Sequence, residues 1–151
     1  MKRILGHPIH QMLIVFPLGL LATSFLFDLA WAVTGRAELA NVAWWMIVAG
    51  VIGGAFASLF GVIDFLAIPR GTRARRLGAW HGGGNAIVAL FFAVSLFVRR
   101  EAPEHPEALA IALSGLGVLL SVLTGWLGGE LADRIAESGT AGSEPAVRTD
   151  R

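Results

Sequence analysis

Four stretches of the chain, Gly6 to Phe27, Leu39 to Ile63, Leu77 to Val98 and Ala108 to Gly129, contain no Lys, Arg, Asp or Glu. Each reaches the ~20 apolar residues that about 30 Å of hydrocarbon requires. The pattern therefore predicts four membrane-spanning helices, at about residues 8–34, 40–68, 77–99 and 107–134. Short connections make sequential helices antiparallel neighbours, so the expected fold is all-α, an up-down four-helix bundle in the membrane. That bundle takes up residues 1–136. From Glu137 onward, Ser, Gly, Thr, Pro and Ala with scattered charges cannot bury a core, and residues 137–151 read as a disordered cytoplasmic tail.

The helices carry distinct faces. Pro8 suits the first position of helix 1 and leaves His7 just outside it. His7, His10, Ile14, Pro17, Leu21, Ser24 and Asp28 then recur every three or four residues, the spacing of a packing seam. Pro17 removes a backbone donor and is a potential kink. Helix 2 places Gly50, Gly54, Ala57, Gly61 and Asp64 on one stripe, small enough to admit a neighbouring backbone or a flat ligand. Helix 3 aligns His81, Asn85, Val88, Phe92 and Ser95, with Gly82-Gly83-Gly84 loosening its first turns. Helix 4 aligns Ser114, Gly117, Ser121, Thr124 and Gly128, while Glu130 falls off that stripe. Residue identities show no convincing internal repeat.

Composition narrows the class. Of 151 residues, 55% are hydrophobic and 15% charged, against ~25% charged in soluble domains. A net charge of +1 predicts no attraction to nucleic acid. The absence of cysteine rules out disulfides, thiolate metal sites and iron–sulfur clusters within this chain. Lys2-Arg3 before an apolar run resembles a signal peptide, but the run exceeds the ~7–15 residues of such a segment and lacks a small-x-small cleavage site. It reads as a helix. The loop Pro69 to Arg76 carries four arginines and no acid, which predicts a cytoplasmic location. Both termini follow it inside, with nine basic residues inside against Arg36, Arg99 and Arg100 outside. The expected setting is the inner membrane of a bacterial cell.

With that topology, His7 and His10, Asp64, His81 with Asn85, and Glu130 all gather at the cytoplasmic ends of the four helices. Asp28 and His105 fall at the outer face, as an interface residue and an exposed loop residue. Polar groups at the edge of hydrocarbon are where function is sought first. Two histidines on different helices suit haem b, with His10 and His81 as axial ligands, Asn85 and Asp64 behind them, and Arg70, Arg73, Arg75 or Arg76 pairing the propionates. A non-haem transition-metal ion held by His7, His10, His81, Asp64 and Glu130 is a second possibility, and proton or quinone handling a third. The same residues also admit plain roles: interfacial histidines, an Asp64 paired with a loop arginine, and glycine stripes that serve packing. No serine triad, P-loop or dinucleotide fingerprint is present, and no catalytic residue is assigned.

The opening Gly6-His7-Pro8-Ile9-His10, Phe16-Pro17-Leu18-Gly19, Asp64 before a basic loop, His81-x-x-x-Asn85 and the closing Gly125-Trp126-Leu127-Gly128-Gly129-Glu130 resemble the bacterial membrane family called domain of unknown function 2231. The resemblance spans roughly Gly6 to Leu131. Gln11 stands where the family's typical His-Pro-x-His-Pro opening has its second proline. The resemblance implies a four-helix membrane protein of no settled activity, with relatives attached to cytochrome or Rieske modules. It thus favours electron transfer with a redox partner protein, over transport or a structural, partner-binding subunit.

Overall fold

A computed structural model describes the backbone of residues 3–4 and 7–141 and the side chains of residues 9–135. A two-residue ladder, β1 (Arg3–Ile4) paired antiparallel with β2 (His7–Pro8), precedes four helices: α1 (Ile9–Thr34), α2 (Ala37–Leu66), α3 (Arg73–Arg99) and α4 (Ala108–Ala141). Pro8 thus belongs to the ladder, and α1 begins one residue later than its proline suggested. Neither Pro17 nor Gly82-Gly83-Gly84 interrupts its helix. All four helices are long and apolar enough to cross a membrane. Large apolar side chains point outward, Val33 (87% exposed) and Trp80 (72%) among them, as expected of a surface solvated by lipid rather than water. The chain is a multi-pass membrane protein.

Local chemistry moves the expected boundaries. Gly35 adopts φ +69° and its N–H bonds the Trp31 carbonyl at 2.7 Å, closing α1 and leaving only Arg36 before α2. At the other end of α2, the Arg75 guanidinium donates to the Phe65 and Ile68 carbonyls and stacks on the Phe65 ring at 3.9 Å. The Thr72 hydroxyl accepts from the Arg75 N–H at 3.1 Å, an N-cap that starts α3 at Arg73. Half of the basic loop is therefore the first turn of α3. The backbone of α4 stays helical to Ala141, past the expected limit at residue 136. The rest of the expected tail, residues 142–151, lies outside the described residues.

The helices pack as two hairpins, α1 with α2 and α3 with α4, which meet each other over a smaller surface. Ile47, Val88 and Phe92 form the central core, flanked by Leu21, Val51, Leu96, Val118 and Leu120. The two hairpins are repeats of one another, contrary to the reading from residue identities. His10, Leu21, Ser24 and Asp28 correspond to His81, Phe92, Ser95 and Arg99, each 71 positions on. Ala43, Gly50, Ala57 and Gly61 correspond to Ala110, Gly117, Thr124 and Gly128, each 67 positions on, the connection inside the second hairpin being shorter relative to the first by that difference of register. Contacts recur with the residues. A methyl group at Gly50 would meet Leu21 at 2.7 Å, and one at Gly117 would meet Phe92 at 2.7 Å.

A residue touches its own counterpart only where a symmetry axis passes. Among the described residues, His10 meets His81 at one end of α1 and α3, and Asp28 meets Arg99 at the other. The hairpins are accordingly parallel repeats about an approximate two-fold axis along the bundle. At about 1.5 Å per helical residue the two pairs stand about 27 Å apart, close to the thickness of the hydrocarbon.

A two-histidine site on the repeat axis

His10 lies in the first turn of α1, and its Nδ1 bonds the Ala57 carbonyl of α2 at 3.0 Å. His81 repeats the arrangement in the second hairpin, with Nδ1 bonded to the Thr124 carbonyl of α4 at 2.8 Å. A carbonyl only accepts, so Nδ1 carries a hydrogen in each ring, and in the tautomer whose one hydrogen is there Nε2 has a lone pair. Each ring lies on a glycine one turn beyond its carbonyl partner. A Cβ at Gly61 would stand 2.9 Å from His10 Cε1, and one at Gly128 would stand 2.7 Å from His81 Cε1. The small-residue stripes on α2 and α4 thus seat imidazoles. The two rings meet edge-on, with centroids 6.4 Å apart and planes at 85°.

Around this pair the repeats differ. Asn85 donates from Nδ2 to His81 Nε2 at 3.1 Å, and its Oδ1 accepts from the Thr124 hydroxyl at 3.0 Å. His81, Asn85 and Thr124 are therefore mutually bonded. The counterparts of Asn85 and Thr124 in the first hairpin are Ile14 and Ala57, which lack such groups. Asp64, half-buried, follows Gly61 by three residues on α2 and is engaged in an interaction of its own. Glu130 is paired with Arg134 one turn along α4. The His7 side chain lies outside the described residues. Among those described, no three His, Cys, Asp or Glu come together as a metal cluster.

The opposite end of the axis was misjudged from sequence. Asp28, expected at the outer interface, and Arg99, counted as an outer-loop charge, form a bidentate ion pair at 2.8 and 2.9 Å with both side chains fully buried. Arg99 Nη2 also reaches Ser95 Oγ at 3.0 Å, and Ser95 donates to the Ala110 carbonyl at 2.7 Å. Removing Arg99 from the loop tally leaves only Arg36 and Arg100 at that end. One signal was available: His10, Ser24 and Asp28 have the same spacing as His81, Ser95 and Arg99. His105 is exposed, as expected.

Fold and geometry together define a small polytopic membrane protein whose two repeat hairpins each carry one histidine to the same end of the shared axis. The chain belongs to the family described as predicted membrane protein (DUF2231), which matches residues 6–138. No curated protein and no solved structure matches it.

Proposed function

We propose that the protein is a small electron-transfer subunit that binds haem b through His10 and His81. The observation that carries this reading is the spacing of the anchored imidazoles, 6.4 Å between centroids. With metal–nitrogen bonds of about 2 Å, two imidazoles on opposite sides of one ion have centroids about 6.3 Å apart. Hydrogen bonding of Nδ1 to a backbone carbonyl is the usual support for a ligating histidine, because it fixes the tautomer and aims Nε2. A macrocycle brings four donors of its own, so two protein ligands suffice, whereas a bare zinc ion takes about four or leaves one open position.

When bound, haem iron supplies one-electron redox chemistry. The chain's own part is to hold two imidazoles at one depth and to exclude water with the surrounding helices. Arg75 is committed to the end of α2, which leaves Arg70, Arg73 and Arg76 exposed to pair propionates at this end of the bundle. The arginine bias favours the cytoplasmic side of a bacterial inner membrane for that end and for both termini. A redox partner would dock there.

A structural role for the histidines has one observation in its favour, the closed bonding of His81 with Asn85 and Thr124. Expression with ample haem, purification in detergent and a visible spectrum decide between them. The expected result is a Soret band that disappears in the double variant His10→Ala, His81→Ala. Folded protein without the band would sink the proposal.

A further inference from the structure

The site lies on a two-fold axis, yet its two imidazoles are bonded differently. His81 Nε2 accepts from Asn85 Nδ2 at 3.1 Å. The Asn85 amide is held at its other end too, where Oδ1 lies 3.0 Å from Thr124 Oγ1, a hydroxyl that also reaches the Ser121 carbonyl at 3.1 Å. With the one ring hydrogen on Nδ1, the reverse amide orientation would set Oδ1 against the Nε2 lone pair, two acceptors facing each other. No such latch exists in the first hairpin. Ile14 occupies the place of Asn85, Ala57 that of Thr124, and the described hydrogen bond of His10 uses Nδ1 alone. A metal approaching along the axis meets one ready lone pair and one already engaged.

Resting on the haem reading above, we propose that His10 is the standing axial ligand and His81 a conditional one, with Asn85 as the positioning residue that holds His81 back. The sixth coordination position is then exchangeable. It would accept a small neutral π-acceptor of the diatomic class whenever Asn85 retains His81. Ligation by His81 requires the Asn85 amide to leave Nε2, while the Nδ1 bond to the Thr124 carbonyl persists. The repeat itself names the change that removes the latch: Asn85→Ile gives the second hairpin the residue that the first has at position 14.

Carbon monoxide added to the reduced, haem-loaded protein is the probe. The wild type is expected to shift its Soret band on CO addition, and Asn85→Ile to bind CO at least tenfold more weakly because His81 now competes. His81→Ala should keep both the band and the CO response, whereas His10→Ala should lose the band. A haem-free measurement stands beside these: in nitrogen-15 spectra of histidine-labelled protein, Asn85→Ile should move the His81 Nε2 resonance and leave that of His10 in place. A Soret band indifferent to CO, equal CO affinity in Asn85→Ile, retention of the band by His10→Ala, or an unmoved His81 resonance would each overturn the latch while leaving haem binding intact. Folded wild type with no Soret band would overturn the haem reading and this inference together.

Discussion

Disrupting the Asp28–Arg99 pair tests the packing argument most directly. Two parallel N–H to oxygen bonds of 2.8 and 2.9 Å join side chains with no exposure. Truncating one member of such a pair leaves an uncompensated buried charge, which costs about 3–5 kcal/mol, while replacing both by apolar residues is often near neutral. The two single changes should differ. Arg99→Met strands Asp28, whose described hydrogen bonds all come from Arg99, and is expected to cost the full amount. Asp28→Leu leaves Arg99 its bond to Ser95. Arg99 is also the last residue of α3, so its long side chain can turn toward water. That change should cost about half as much, of order 2 kcal/mol. The double variant should recover most of the loss and stay within about 1 kcal/mol of wild type, giving a coupling energy of about 4–6 kcal/mol in a double-mutant cycle. Unfolding by SDS in mixed micelles, followed through the five tryptophans, supplies the free energies. Arg99→Met within 1 kcal/mol of wild type, or additive effects of the two changes, would refute the assignment of the pair as a buried lock.

The glycine seats give a second test: Gly61→Ala and Gly128→Ala put a methyl group 2.9 and 2.7 Å from an imidazole carbon, and each should cost about 1–3 kcal/mol by overpacking and weaken haem retention, read by the same micelle titration and by Soret absorbance. A third concerns the repeat. Cutting the chain at Arg70-Gly71, in the turn between the hairpins, and co-expressing the two pieces should give a co-purifying complex, and Asp28→Arg on one piece should abolish it unless Arg99→Asp is made on the other.

Much of this architecture is legible in the sequence because lipid demands long apolar helices and helical geometry demands a period near 3.6. The seam from His10 through Pro17 and Ser24 to Asp28 is one example, and the last three are buried in the structure. Arg99 escaped notice because it directly follows an apolar run and is itself followed by Arg100-Glu101, which reads as the beginning of a loop. The start of α3 was missed for the opposite reason: Arg73, Arg75 and Arg76 look like loop charge, yet arginine is a good helix former once Thr72 caps the turn. The repeat is hidden by physics of another kind. Lipid-facing positions accept any apolar residue, so identities there drift, and only inward positions such as His10 and His81 or Gly50 and Gly117 preserve the correspondence. Which imidazole nitrogen is tied down was beyond sequence altogether, since it depends on the Ala57 and Thr124 carbonyls, backbone groups that every residue possesses.

The Asp28–Arg99 pair also has a temporal side. Its members occupy equivalent places in the two hairpins but are made 71 residues apart. At ribosomal rates of 5–20 residues per second, roughly 4–14 s separate their synthesis. During that interval the first hairpin waits in the bilayer with its carboxyl group near one face and no guanidinium to meet it. A second copy of the same hairpin offers only another carboxylate. The nascent chain is thereby kept from settling with a neighbour of its own kind until its second half arrives.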